Sequence, residues 1–291
     1  MLNVLQKIYI AGHKGMAGSA IERKLKSEGF TNIITCSSKD LDLRNQNQVN
    51  EFFINIKPDI VILAAAKVGG IISNSKYRAE FIYDNLMMEA NVIHAAYQYQ
   101  VEKLLFLGSS CIYPKFAPQP LKEEYLLSGY LEQTNQPYAI AKIAGVKTCQ
   151  AINKQFNKKF LTLMPTNTYG REDNFDLITS HVLPAMIRKF HDAKINNNED
   201  VVLWGSGTPM REFLYVDDLA EAVSFALENK LSEHLYNVGT GKDITIKELA
   251  ETIQKVIGHK GNIIWDAGKP DGTPKLKPDG TLNIKHDDIG F

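Results

Sequence analysis

Four stretches of this chain are apolar almost end to end and too short to be core helices: KIYIAG (7–12), DIVILAAA (59–66), KLLFLGSS (103–110) and FLTLMPTN (160–167). None keeps the alternation of a sheet with one wet face, so each must be covered on both sides. Between them lie helical patterns, over 16–28, 78–98 and 138–156. In the first, Ile21 and Leu25 share one face, charges at 22–24, 26 and 28 cover the other, and Gly29 stops the helix. Apolar strands alternating with amphipathic helices predict βαβ units, and hence an α/β fold on a doubly wound parallel sheet.

After about residue 168 the pattern loosens. KINNNED (194–200) reads as a polar turn, VVLWG (201–205) as a short strand and SGTPM (206–210) as a turn. Asp217 or Asp218 stands where a helix N-cap is expected, ahead of LAEAVSFALEN (219–229). ITIKELAETIQKVIG (244–258) is a further amphipathic helix, and the tail from 266 carries KPDGT twice, which is too little for a repeat fold. The expected organisation is a first domain over 1–168, with 212–236 returning to it. A smaller α/β lobe from 169–211 and 237–291 would lie over the carboxyl ends of the strands, where such sheets bind ligands.

Composition narrows the partners. The 291 residues carry 33 Lys plus Arg against 33 Asp plus Glu. That balance argues against nucleic acid or an anionic membrane, both of which call for excess cations. No apolar run approaches the ~20 residues of a membrane span. The opening MLNVLQKIYIAG runs straight into a strand and leaves no room for a secretory signal. Cys36, Cys111 and Cys149 have no metal-ligand spacing and leave an odd one out, so a reducing, cytoplasmic setting without a metal is expected.

Gly12, Gly15 and Gly18 stand in GHKGMAG, between the first strand and the first helix. Glycines there permit a tight turn and let backbone N–H groups approach a pyrophosphate at the helix N-terminus. An acid about 20 residues on would hold the ribose 2′-hydroxyl of NAD. Here TCSSKD (35–40) offers Ser37, Ser38 and Lys39, and Lys14 lies inside the turn, a set that suits the 2′-phosphate of NADP. Asp40 remains within reach of a ribose.

Tyr138 and Lys142 lie four apart in YAIAK and share a helix face. A phenol titrates near 10, and a neighbouring ammonium is expected to lower that value. Ser109 and Ser110 close the strand KLLFLGSS, at the edge where a substrate carbonyl would lie. A serine, then Tyr-x-x-x-Lys one unit later, behind a glycine turn, is the signature of the short-chain dehydrogenase/reductases. Longer blocks extend the likeness: LAAAKVGGI (63–71), LGSSCIYPK (107–115), MPTNTYG (164–170), SHVLPAMIRKFH (180–191) and LWGSGTPMREFLYVDDLAEA (203–222). Over roughly residues 7–275 the chain resembles the GDP-L-fucose synthase family of the extended, sugar-nucleotide branch.

The resemblance implies a Rossmann-type domain and an NADPH-dependent 3,5-epimerase/4-reductase acting on GDP-4-keto-6-deoxy-D-mannose. It gives Tyr138 the role of proton donor to the C4 oxygen, Lys142 that of ribose ligand, and Ser109 that of carbonyl ligand. Cys111 and His181 match the epimerisation pair. Thiols and imidazoles ordinarily titrate within about two units of neutrality, as proton exchange beside a ketone requires. On its own, Cys111 reads as a small strand-end hydrophobe and His181 as structural; Cys36 and Cys149 read as core.

The cofactor set implied is Gly12, Lys14, Gly15, Met16, Gly18, Ser38, Lys39, Ala64, Ala65, Lys142, Pro165 and His181. The GDP-sugar set is Asn167, Lys189, Trp204, Arg211 and Lys275. Lys14 and Lys189 stand where relatives commonly carry arginine, and YGREDNF (169–175) departs from the usual Tyr-Gly-Pro. A homodimer through helices 78–98 and 138–156 is expected from the superfamily.

Two other readings compete. A related nucleotide-sugar 4-epimerase has no use for Cys111 and His181, and a dehydratase needs an acid pair where Cys111 and Ile112 stand. A catalytically silent NADP-binding regulatory protein needs only the glycine turn.

Overall fold

The computed structural model describes residues 3–269. In chain order its first half holds β1 (Ile8–Ala11), α1 (Met16–Ser27), β2 (Ile33–Thr35), α2 (Gln46–Ile56), β3 (Ile60–Leu63), α3 (Ile71–Lys76), α4 (Arg78–Gln98), β4 (Lys103–Leu107) and α5 (Gln136–Phe156). The second half holds β5 (Leu161–Pro165), β6 (Asn167–Tyr169), α6 (Val182–Ile195), β7 (Asp200–Trp204), β8 (Met210–Tyr215), α7 (Val216–Glu228), β9 (Leu235–Val238), β10 (Asp243–Thr245), α8 (Ile246–Ile257) and β11 (Asn262–Asp266).

The apolar stretches form a six-stranded sheet in the order β2-β1-β3-β4-β5-β9, every neighbouring pair parallel. All residues of β1 and β3 are buried, as unalternating strands demand. Tyr9, Phe53, Val61, Phe106 and Val146 join β1, β3 and β4 to α2 and α5 in one core. Ile8, Ile10, Ile21, Leu25, Leu219 and Val223 join the opposite face to α1 and α7 in a second. The chain leaves β1 to build β2 on one side and β3 on the other. That reversal opens a crevice beyond the strands' carboxyl ends, the place where such sheets bind ligands.

A third core, with Leu183, Met186, Phe190, Val201, Leu203, Leu249 and Ile253, lies between α6, α8 and β7. Beside it, β8 pairs antiparallel with β10 and parallel with β6, and β11 pairs parallel with β7. Thr245 caps α8 reciprocally with Glu248, which fixes where that helix begins. Segment 216–238 goes back to the large sheet, with α7 against α1 and β9 on β5.

Several expectations shift. Tyr215, not Asp217 or Asp218, is the N-cap of α7; both carboxylates fall in its first turn, where the helix dipole still favours them. The stretch 160–167 divides: β5 ends at Pro165, and Asn167 opens β6 in a different sheet. The stretch 244–258 also divides, its first two residues belonging to β10. Cys149 is core, whereas Cys36 is only half-buried. Among the described residues no helix is long and apolar enough to cross a membrane.

Candidate active site

The glycine turn is built by close approach. Gly12 has φ +92°, and a Cβ there would lie 2.6 Å from the Ala65 nitrogen and 2.7 Å from its Cα. A Cβ on Gly18 would overlap the Gly12 carbonyl. The Gly15 N–H donates to that carbonyl at 3.0 Å. Gly15 is the N-cap of α1, with no side-chain cap and no carboxylate in the first turn. The open N–H groups of Met16 and its neighbours therefore face the crevice with the positive end of the helix, a fit for a diphosphate. Ala64 and Ala65 form the opposite wall, the Ala64 N–H donating to the Ala11 carbonyl at 3.0 Å.

Lys14, Ser38 and Lys39 are exposed, and neither lysine forms an ion pair among the described residues. Asp40 is turned back: it accepts the Ser37 hydroxyl, and its N–H donates to the Ser37 carbonyl at 3.0 Å. So the cations are available to a 2′-phosphate, and the carboxylate that would suit a bare 2′-hydroxyl is occupied. The residues fit NADP.

Downstream of β4, a single turn over Ser110–Ile112 is capped by Ser109 and presents Cys111. The Ser109 hydroxyl lies 3.1 Å from the Cys111 sulfur and accepts the Cys111 N–H at 3.4 Å. Cys111 is exposed by area yet sits in a recess dense with protein atoms. Burial pushes its thiol up, against the opposing pull of Ser109, Asn135 and the Lys142 charge. Tyr138 enters from the first turn of α5 and is also hydrogen-bonded to Ser109. Burial raises its phenol well above the ordinary value, and charge at Cys111 and Glu89 raises it further.

Here the sequence expectation is corrected. Lys142 was expected to lower the Tyr138 phenol, but its charge is answered elsewhere. Its Nζ lies 3.1 Å from Glu89 Oε1, donates to the Leu107 carbonyl at 2.9 Å and sits 4.5 Å above the Phe106 ring. The Tyr138 ring is more distant, at 5.9 Å. Burial raises the Glu89 carboxyl while Lys142 opposes it.

His181 is the N-cap of α6 and makes no side-chain hydrogen bond among the described residues; burial lowers its imidazole. It is brought over the crevice by segment 179–181. The Gly70 N–H donates to the Thr179 carbonyl at 3.0 Å, and a Cβ on Gly70 would overlap the Ser180 carbonyl. Pro165 closes β5 opposite Val238, and the next N–H, from Thr166, donates to the Val238 carbonyl at 3.0 Å.

The remaining residues line the smaller lobe. Asn167 donates to the Glu212 carbonyl at 2.9 Å. It pairs with Phe213 across β6 and β8, two residues from Arg211, whose guanidinium donates to the Met210 carbonyl at 2.7 Å. Lys189 donates to the Val202 carbonyl at 2.8 Å and lies 5.9 Å over the Trp204 ring; burial lowers its ammonium. Trp204 is 40% exposed. Lys275 lies outside the described residues.

The sequence reading missed a set of enclosed polar atoms with no partner: His13 Nδ1, Asn135 Oδ1, Thr166 Oγ1 and Ser180 Oγ. Each belongs to a segment already named, one residue after Gly12, three before Tyr138, one after Pro165 and one before His181. Unpaired buried polar groups are costly, and four in segments that carry candidate site residues point to a polar ligand. Glu89 was missed too, since a lone glutamate in a helix ordinarily reads as solvated surface.

Comparison with known proteins agrees with this geometry. Residues 8–239 match the family described as "NAD dependent epimerase/dehydratase family". The chain is 56% identical to the Arabidopsis thaliana protein named GDP-L-fucose synthase 1, over 92% of this chain and 83% of that one. It is 53% identical to the Escherichia coli K12 protein named GDP-L-fucose synthase, over 93% and 87%. Among solved structures, it is similar to a GDP-L-fucose synthetase from Naegleria fowleri bound to NADP. There the TM-score is 0.86 and the identity 30%, covering 94% of this chain and 84% of that one.

Proposed function

From the premise that this chain belongs to the NAD dependent epimerase/dehydratase family, we propose that it converts GDP-4-keto-6-deoxy-D-mannose to GDP-L-fucose by inverting C3 and C5 and reducing C4. One observation carries the reading. A serine, a thiol and a buried phenol meet at the end of β4 and the start of α5, beside a glycine turn that fits NADP.

The C4 ketone acidifies the hydrogens on its two neighbouring carbons. Removal of either proton leaves an enolate, and return of a proton to the opposite face inverts the centre. Cys111 and His181 exchange these protons. Burial keeps the thiol protonated and the imidazole neutral at rest, so the pair holds one proton to give and one lone pair to receive. Ser109 holds the C4 oxygen.

NADPH, when bound, supplies the hydride to C4. The raised phenol of Tyr138 stays protonated at neutral pH and gives its proton to the oxygen of the reduced carbon. Lys142 spends two of its three N–H groups on Glu89 and Leu107 and keeps the third for a ribose hydroxyl. The N-terminal end of α1 holds the diphosphate, with Lys14, Ser38 and Lys39 on the 2′-phosphate. Met16, Ala64, Ala65 and Pro165 give its walls. Arg211 and Lys189 answer the diphosphate of the GDP-sugar, Trp204 packs on its guanine and Asn167 on its sugar.

Division into a cofactor domain and a smaller substrate lobe follows the separate cores. Tyr83 on α4 and Ile140 on α5 are exposed, which supports a homodimer through these two helices.

The test is incubation with GDP-4-keto-6-deoxy-D-mannose and NADPH, with product identified by NMR. GDP-L-fucose formed in step with NADPH oxidation is expected. Folded, NADPH-binding protein that oxidises no cofactor overturns the reading.

A further inference from the structure

Asn135 occupies the N-cap position of α5, and asparagine is among the strongest N-cap residues. Yet its side chain makes no capping hydrogen bond. Pro137 stands at the second helical position and has no N–H to give, so the cap loses one of its two usual donors. The amide is turned instead toward the end of β4. Its Nδ2 donates to the Cys111 carbonyl at 3.2 Å and lies against the Cys111 thiol. A carbonyl can only accept, so the face of the amide toward Cys111 is the NH2 group. The other face, Oδ1, is enclosed and has no donor.

We propose that Asn135 is a positioning residue for Cys111: its amide N–H holds the thiolate through which the sulfur must pass when it exchanges a proton with the sugar. Ser109 supports the sulfur from the other side, its hydroxyl 3.1 Å away. Oδ1 is left for a hydroxyl of the bound sugar, and that bond would lock the amide with its donors on the sulfur. The inference rests on the proton-exchange role given to Cys111 above, and it assigns that role a partner. Other charged or titratable groups facing the thiol are Tyr138 and Lys142 of α5, with Glu89 of α4 behind the lysine. All three are unchanged by substitution at 135. A purely structural amide would hold the turn at 110–112 without altering how the sulfur titrates.

The test reads the sulfur directly and needs no sugar substrate. The pH dependence of iodoacetamide alkylation at Cys111 is followed by mass spectrometry of its peptide, in the intact chain and in Asn135→Ala and Asn135→Asp. Losing one hydrogen bond to a charged acceptor moves the inflection up by about one to two pH units. Asn135→Ala should show that shift. The near-isosteric Asn135→Asp should show at least as large a shift, because it replaces a donor with a like charge. Far-UV circular dichroism, together with NADPH binding, reports that each variant is folded. An inflection unmoved in folded Asn135→Asp overturns the inference. Solvent-deuterium exchange by the unsubstituted protein separately tests the role of Cys111, so the two failures are distinguishable.

Discussion

The ammonium of Lys142 lies 3.1 Å from the carboxylate of Glu89, and each side chain is only 2% exposed. Both Glu89 oxygens are enclosed, and the lysine ammonium is what compensates them. Gly145 makes the room: a Cβ there would lie 2.8 Å from Glu89 Oε2 and 2.7 Å from Phe106 Cζ. Burial holds Tyr138 as a firm phenol, and the pair explains why an ammonium one helical turn away does not lower it. A cation already neutralised does little for a phenolate, and the carboxylate repels one.

Glu89→Gln removes the compensating charge and keeps the shape. The lysine charge is then no longer answered by a carboxylate, the repulsion from Glu89 is gone, and the Tyr138 phenol titrates lower. Reduction needs the protonated phenol, so its alkaline limb should move to lower pH, as a pH profile of NADPH oxidation would record. Glu89→Ala leaves a buried ammonium without its partner and should cost about 3–5 kcal/mol in urea unfolding.

Gly145→Ala separates two effects of opposite sign. Alanine gains about 1 kcal/mol of helix propensity over glycine, while a methyl against Phe106 and Glu89 overpacks α4 against α5 at about 1–3 kcal/mol. Overpacking should win, and the urea midpoint should fall. A rise would mean that Phe106 and Glu89 can withdraw.

How much of this was legible beforehand follows from the chemistry of single residues. The strands at 8–11, 60–63, 103–107 and 161–165 announce themselves because burial on two faces leaves almost no polar position, Lys103 and Thr162 excepted. Tyr138 and Lys142 are legible through helical spacing. What Lys142 faces is not, because its partner comes from α4, 53 residues upstream, where Glu89 has the same letter as any surface glutamate. Asn135 was hidden similarly: only the turned amide distinguishes it from a cap. The sheet switch at Thr166 depends on pairing between β6 and β8, which no local pattern encodes. Asp217 and Asp218 are good caps by type, but β8 runs on to Tyr215 and the helix starts directly after it.

Lys14 and Lys39 should set cofactor choice. Replacing both with alanine should weaken NADPH binding about tenfold or more, by removing two partly exposed charge contacts to the 2′-phosphate, and leave NADH unchanged. Titration of both cofactors by fluorescence checks this. An equal loss for both would move the lysines off the 2′-phosphate.

Asp84 accepts from Lys67 at 3.0 Å and Arg44 at 3.2 Å. Burial raises its carboxyl, but these two cations outweigh burial and hold it low. A depressed carboxyl contributes stability that is full above its unfolded value, near 4, and is lost as pH falls through the folded value. Lys67 and Arg44 are 37% and 48% exposed, so screening limits the effect to about 1 kcal/mol. Asp84→Asn should therefore lower the thermal midpoint at pH 7, and the gap should close as pH falls through the folded value.

The central claim is that one crevice holds two separable chemistries, proton exchange at C3 and C5 through Cys111 and His181, and reduction at C4 through Tyr138. Its most direct test is NMR of GDP-4-keto-6-deoxy-D-mannose in deuterated water with three forms of the protein. Without NADPH, the unsubstituted chain and Tyr138→Phe should both place deuterium at C3 and C5, and Cys111→Ala should not; with NADPH, Tyr138→Phe should oxidise none. Normal exchange by Cys111→Ala, or loss of exchange in folded Tyr138→Phe, would contradict that division.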